Sequence, residues 1–199
     1  MARNALVVSL LLERARSHSV DLNAKTNEGH TALYYALIGT TDYGPSSFAA
    51  MLVEAGAQPN PPYPRGKGSL LHLVANDGLE DAAVFVAQHA VDQLDAVNDR
   101  GETPMHVACA RGLPRLVQTL LDNGASPNVQ TFAGDDDEPF RRTPLHVAVA
   151  AKQTAAAAVI IDYKSKFCIA KSLLTRHETF SLKSCLIVSP IEYGPLNAR

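Results

Sequence analysis

The chain has 199 residues, 46% of them hydrophobic, with a formal net charge of −2 and three cysteines. That supplies apolar material for one elongated core, while the near-neutral balance, with no basic stripe along a helix face, gives nucleic-acid binding no electrostatic support. Cys109, Cys168 and Cys185 show no C-x-x-C spacing and no even-numbered framework, which argues for a reduced, cytosolic setting and against a disulfide-built or zinc-built module.

The first segment, Arg3 followed by Ala5 to Leu12, has the outline of a short signal segment. Glu13-Arg14-Ala15-Arg16 interrupts it, no small-x-small cleavage site follows, and the run is too short to span a bilayer. It reads instead as the second helix of a hairpin, because Leu11-Leu12-Glu13 parallels Leu120-Leu121-Asp122 further on. The chain is thus expected to begin halfway through a structural unit. Leu6, Val7, Leu10 and Leu11 offer no polar outer face, so this end is expected to continue a longer array or to lie under a partner.

From there one pattern recurs four times: Thr31-Ala32-Leu33-Tyr34-Tyr35-Ala36, Ser69-Leu70-Leu71-His72-Leu73-Val74, Thr103-Pro104-Met105-His106-Val107-Ala108 and Thr143-Pro144-Leu145-His146-Val147-Ala148. The first residues lie 38, 34 and 40 positions apart, a period near ~33 with short insertions. The leading Thr or Ser is a helix N-cap, whose hydroxyl accepts from an orphan N–H, and Pro at the next position costs nothing because its missing N–H would have no partner there. Small residues after it let one helix lie close to its neighbours. A Gly-bearing turn follows, Asp77-Gly78-Leu79-Glu80 or Arg111-Gly112-Leu113-Pro114, and then a second helix such as Val117 to Gly124, with Phe48 to Gly56 as its counterpart. Ala57-Gln58-Pro59-Asn60 and Ala125-Ser126-Pro127-Asn128 lead out into polar turns that project as fingers.

Two inserts break the period. Gly39 to Ser46 lengthens a helix–helix turn around Tyr43. Phe132 to Arg142 lengthens a finger and joins Asp135-Asp136-Asp137-Glu138 to a basic pair flanked by aromatics, the kind of loop that repeat arrays place on their binding side. The acidic run lacks the alternating ligands and turn Gly of a calcium loop. After Ala155 to Ile161 the expected Gly-Ala exit is missing, and residues 164–199 read as a non-repeat tail, disordered or an unfamiliar cap, with a strand-like run at Cys185 to Val188.

The motifs Gly101-Glu102-Thr103-Pro104-Met105-His106-Val107-Ala108 and Leu120-Leu121-Asp122-Asn123-Gly124-Ala125, and the phase they share over roughly residues 6–163, resemble the ankyrin-repeat family. The resemblance implies an all-α solenoid of stacked helix-turn-helix units with projecting β-turn fingers. Its boundaries are a partial repeat at 1–25, repeats at 26–60, 61–97 and 98–130, and a partial repeat at 138–163. Ser47 to Ala50, Gly68 to Leu71, Ala82 to Phe85, Gly101 to Pro104 and Gly124 to Thr131 further resemble the repeat region of the rabankyrin family, endosomal adaptors with BTB and FYVE domains. Neither domain is legible in this chain, and three cysteines cannot supply the roughly eight ligands of a FYVE finger. Direct membrane binding by this segment is therefore not expected.

No residue set carries a catalytic assignment. His72, His106 and His146 share one repeat position three residues after a cap, and are read with Thr103, Pro104, Thr143 and Pro144 as structural ties rather than metal ligands, because successive imidazoles would stand one helix-packing layer apart, ~8–10 Å. Cys109 lies near His106 but lacks an orienting third group and an oxyanion site, and is read as core. Gly66-Lys67-Gly68-Ser69 lacks the spacing of a phosphate loop. No cofactor or metal is expected.

Other proteins are the expected partners, met at finger residues Asn27, Glu28, Tyr63, Arg65, Lys67, Asp99, Arg100 and Glu102, and at Phe140, Arg141 and Arg142 beside the insert. Tyr63 and Arg65 stand out, since aromatic and Arg side chains dominate interfaces. The function is then a protein–protein scaffold or adaptor in the cytoplasm, which the second resemblance places at the early endosome. The alternative is a regulatory or substrate-recruiting module of a larger enzyme, such as a ubiquitin ligase or kinase.

Overall fold

The computed structural model describes residues 10, 13–14, 20–39, 47–63, 68–132 and 141–174, with side chains as far as residue 165. The expectations placed on Leu6, Val7, Leu11, Tyr43, Arg65, Lys67, Phe140, the acidic run 135–138 and the strand at 185–188 lie outside the described residues. Helices α1 (Ala32–Ile38), α2 (Phe48–Glu54), α3 (Leu70–Asn76), α4 (Glu80–His89), α5 (Pro104–Arg111), α6 (Pro114–Asp122), α7 (Pro144–Ala150) and α8 (Thr154–Leu174) follow in order, with a 3-10 turn at Val91–Gln93. Among the described residues there is no β-strand, and a single antiparallel bridge joins Pro62 to Ser69.

Each hairpin starts as the sequence dictates. Thr31 caps α1 by accepting from the Tyr34 N–H at 3.4 Å, and Ser47 caps α2 by accepting from the Ala50 N–H at 3.2 Å. Ser69, Thr103 and Thr143 go further and form reciprocal capping boxes with His72, His106 and His146. Pro104, Pro114 and Pro144 stand at the first helical positions of α5, α6 and α7, where no N–H is needed.

Within a unit, α1 packs on α2, α3 on α4 and α5 on α6; between units, α3 packs on α5, α5 on α7 and α4 on α6. Two rows of helices result, first helices against first and second against second. The core between them is continuous: Leu70, Leu71, Val74, Ala82, Ala83, Val86, Met105, Ala108, Cys109, Leu116, Val117, Leu120 and Leu121 are all buried. Small side chains at Ala82, Ala83 and Ala108 are what allow the close approach, and the leucines fill the space between rows.

Polar pins hold the stacking register. Glu80 accepts from the backbone N–H groups of Arg115 at 2.8 Å and Leu116 at 3.3 Å, so one unit supplies the N-terminal cap of the next unit's second helix. Asn23 and Asp95 do the same for the exit turns, accepting from the Gln58 N–H at 2.7 Å and the Ser126 N–H at 3.0 Å.

The chain divides into two units, Met1–Ile160 and Ile161–Arg199. The first holds the repeats; of the second, the structure describes the continuation of α8. That continuation departs from the expected tail, because α8 runs to Leu174, well past residue 164. The missing Gly that made the exit unreadable is also the reason: nothing stops the helix, and the good helix formers Lys, Ala and Leu sustain it. The turn before α8 also departs from the pattern, with Lys152 at φ 58° where the two preceding turns carry Gly78 and Gly112. No helix among the described residues is long and apolar enough to cross a membrane.

Candidate interaction surface

His72 and His106 each tie their unit to the finger of the next. His72 Nδ1 accepts from the Ser69 N–H at 3.1 Å and lies 2.9 Å from its hydroxyl, while Nε2 meets the Glu102 carbonyl at 2.9 Å. His106 repeats the arrangement: Nδ1 with the Thr103 N–H at 3.1 Å and its hydroxyl at 2.9 Å, Nε2 with the Arg142 carbonyl at 3.0 Å. A carbonyl can only accept and a backbone N–H can only donate, so each ring is the neutral tautomer with its proton on Nε2. His146 keeps the box with Thr143, at 2.8 Å to the hydroxyl, but is exposed.

Burial holds the His72 and His106 imidazoles below the usual histidine range, although the Glu102 and Arg142 carbonyls pull the other way. A depressed histidine binds fewer protons folded than unfolded, so stability is fully present above the unfolded value of 6.5 and falls as pH drops from there toward the folded values. The melting temperature of the wild-type chain is therefore expected to decline between pH 7.5 and pH 5. A chain carrying both His72→Gln and His106→Gln should start lower and show a flatter profile. Parallel profiles would mean that these rings do not set the acid sensitivity.

The fingers are hydrogen-bonded to each other as well as to the helices. Asn98 organises one of them: its Oδ1 accepts from the N–H groups of Arg100 at 2.9 Å and Glu102 at 3.0 Å, and its Nδ2 donates to Glu102 Oε2 at 2.8 Å. Glu102 is thus half-buried with its carboxylate engaged inside the finger, while Asp99 and Arg100 are exposed at the tip. The Arg100 carbonyl accepts from the Phe132 N–H at 3.1 Å, which stitches this finger to the next, and within that next finger the Thr131 N–H donates to the Arg142 carbonyl at 3.0 Å. Arg141 is exposed and Arg142 half-buried. Phe132, from the start of the insert, is exposed beside Arg100.

Tyr63 requires a correction. It is not a projecting finger side chain: only 6% exposed, it is turned inward against His30 and Tyr34, with ring centroids at 5.6 and 6.4 Å. Burial raises its phenol, and also that of Tyr34, above the usual tyrosine range. The physical reason is that Tyr34 stands where the other units carry histidine, and an aromatic from the next finger packs on it instead of presenting a carbonyl to an imidazole. Tyr35, whose ring meets His30 and Tyr34, and Ile38 one turn on, both on α1 and passed over by sequence reasoning, are exposed. The doublet Tyr34-Tyr35 in place of His-aliphatic was the signal that could have found them.

Chemistry of the covalent kind has no foothold at Cys109. Its thiol is buried and pushed up by burial to about 12, so at neutral pH it is not a nucleophile. Among the described residues no three His, Cys, Asp or Glu side chains converge as a metal site.

The family described as "Ankyrin repeats (many copies)" matches residues 91–136. Rabankyrin-5 of Mus musculus and of Homo sapiens are each 32% identical over 214 aligned residues, which cover 92% of this chain and 18% of the relative. B-cell lymphoma 3 protein homolog of Mus musculus is 31% identical over 147 residues, covering 73% of this chain and 30% of the relative. The chain thus spans about a fifth of the length of the Rabankyrin-5 relatives it matches.

Proposed function

This chain is built of ankyrin repeats, and on that premise we propose that it is a scaffold for protein partners, an adaptor that holds a partner's segment with its finger tips and first-helix face. Ankyrin repeats are a protein-interaction module, and the observation that supports this division of labour is the contrast between engaged and unengaged finger residues. Glu102 and Asn98 are spent on holding the turn, whereas Asp99, Arg100 and Phe132 are exposed on a backbone that hydrogen bonds have already fixed, and Arg141 is exposed one residue before the bonded Arg142. A preordered surface loses little entropy on binding, which is what an interaction finger needs. The proposed setting is trafficking at the cytoplasmic surface of the early endosome, drawn from the resemblance to the rabankyrin family and from the alignment over 92% of the chain.

The test is affinity capture from cytosol with the whole chain and with a variant carrying Arg100→Glu and Arg141→Glu, followed by mass spectrometry. Trafficking proteins should be retained by the first and lost from the second, while the melting temperature of the variant stays within about two degrees of wild type, as expected for exposed positions. Equal retention by both would remove the fingers from the binding surface.

A further inference from the structure

The first described repeat differs from the others at the face where a partner would lie. The positions held by His72-Leu73, His106-Val107 and His146-Val147 elsewhere are here Tyr34-Tyr35. His30 stacks on one face of Tyr34, with ring centroids 4.1 Å apart and 11° between planes. Tyr35 stands nearly perpendicular to both rings, 5.5 Å and 74° from Tyr34 and 5.9 Å and 80° from His30. Tyr63 closes the buried side. An aromatic corner results, and Tyr35, 47% exposed, is its open wall.

Carboxylates rim this corner. Glu28 Oε2 lies 3.5 Å from His30 Nε2 and is exposed, and the exposed Asp77 carboxylate lies beside the Tyr34 phenol. Among the described residues, Lys25 is a cation on the finger side, and it donates to the Pro62 carbonyl at 2.6 Å and so is occupied with the next finger's backbone. Ile38, one turn after Tyr35 on the same helix face, is also exposed.

We propose that the corner formed by Tyr34 and Tyr35 and rimmed by Glu28 and Asp77 receives an arginine side chain from an exposed segment of a partner protein; this rests on reading the chain as an interaction module. Ring faces are electron-rich and attract a cation, and a planar guanidinium stacks on tyrosine while its fork of N–H groups meets carboxylates. Its aliphatic stem has Ile38 to lie on. An anionic side chain would face two carboxylates, and a purely apolar one would bring no charge to match theirs.

The test is NMR of the whole chain with labelled tyrosine rings at pH 8, where histidine is ordinarily neutral. The probes are Nα-acetyl-arginine methylamide, its uncharged citrulline counterpart, and the corresponding leucine and glutamate derivatives. The arginine probe should shift the Tyr34 and Tyr35 rings saturably and the other three should not. Asp77→Asn should weaken the response about threefold, as removal of one partly exposed charge does. Tyr35→Ala should weaken the Tyr34 shift about fivefold and Tyr35→Phe should keep it, both with the melting temperature followed alongside. Equal shifts from citrulline or leucine, a response to glutamate instead, or no response to arginine would each overturn the proposal. None of these outcomes bears on the finger variants, whose capture result stands or falls independently.

Discussion

Replacing His106 by alanine is expected to lower the unfolding free energy by about 3 kcal/mol, the sum of lost net hydrogen bonds and of buried groups left without partners. The imidazole holds three groups at once: the Thr103 N–H, the Thr103 hydroxyl and the Arg142 carbonyl. Thr103 is fully buried, so water cannot replace what the truncation removes. The carbonyl belongs to a finger 36 residues away in sequence, so the change also cuts a tie between one repeat and the next. His146→Ala is the internal control. It breaks a similar box at an exposed position and should cost no more than about 1 kcal/mol, the ordinary worth of a helix cap. Urea denaturation of the two variants, with the midpoint moving and the slope unchanged, measures both. Equal losses would mean that the local box, not the tie to the neighbouring finger, carries the contribution.

That contrast marks the boundary of what the sequence discloses. Caps, prolines at the first helical turn and the phase of the repeats are local signals, set by which N–H groups a helix end leaves open, and the structure has them where the residues place them. The finger surface is less legible because it is assembled from residues far apart. Tyr63 sits among prolines in what reads as a polar turn, and its burial depends on Tyr34 and His30 from the preceding repeat. Glu102 reads as a free charge until Asn98 is seen to engage it. The length of α8 was present as an absence: without a terminating Gly the helix continues, but composition alone made the same residues look like a tail.

Glycines with the same sign of φ need not matter equally, and Gly101→Ala is expected to cost about 3 kcal/mol where Gly124→Ala costs about 1. Both sit in the left-handed region, Gly101 at φ 72° and Gly124 at φ 90°, so an alanine at either pays a backbone cost near 1 kcal/mol. Only at Gly101 does a second penalty arise. A Cβ there would stand 2.5 Å from the backbone nitrogen of Phe132 and 2.7 Å from its ring, whereas at Gly124 it would meet nothing within 4 Å. Backbone cannot swing aside as a side-chain end can, and this backbone is the strand of contact at which the Phe132 N–H bonds the Arg100 carbonyl. The clash must therefore open the junction between two fingers. Amide hydrogen exchange at Phe132 would quicken in Gly101→Ala and stay unchanged in Gly124→Ala. If both variants lost the same stability, and Phe132 exchanged alike in each, the close approach of the fingers would contribute nothing beyond the conformation of the glycine itself, and the exposed residues Arg100 and Phe132 would not share a fixed platform.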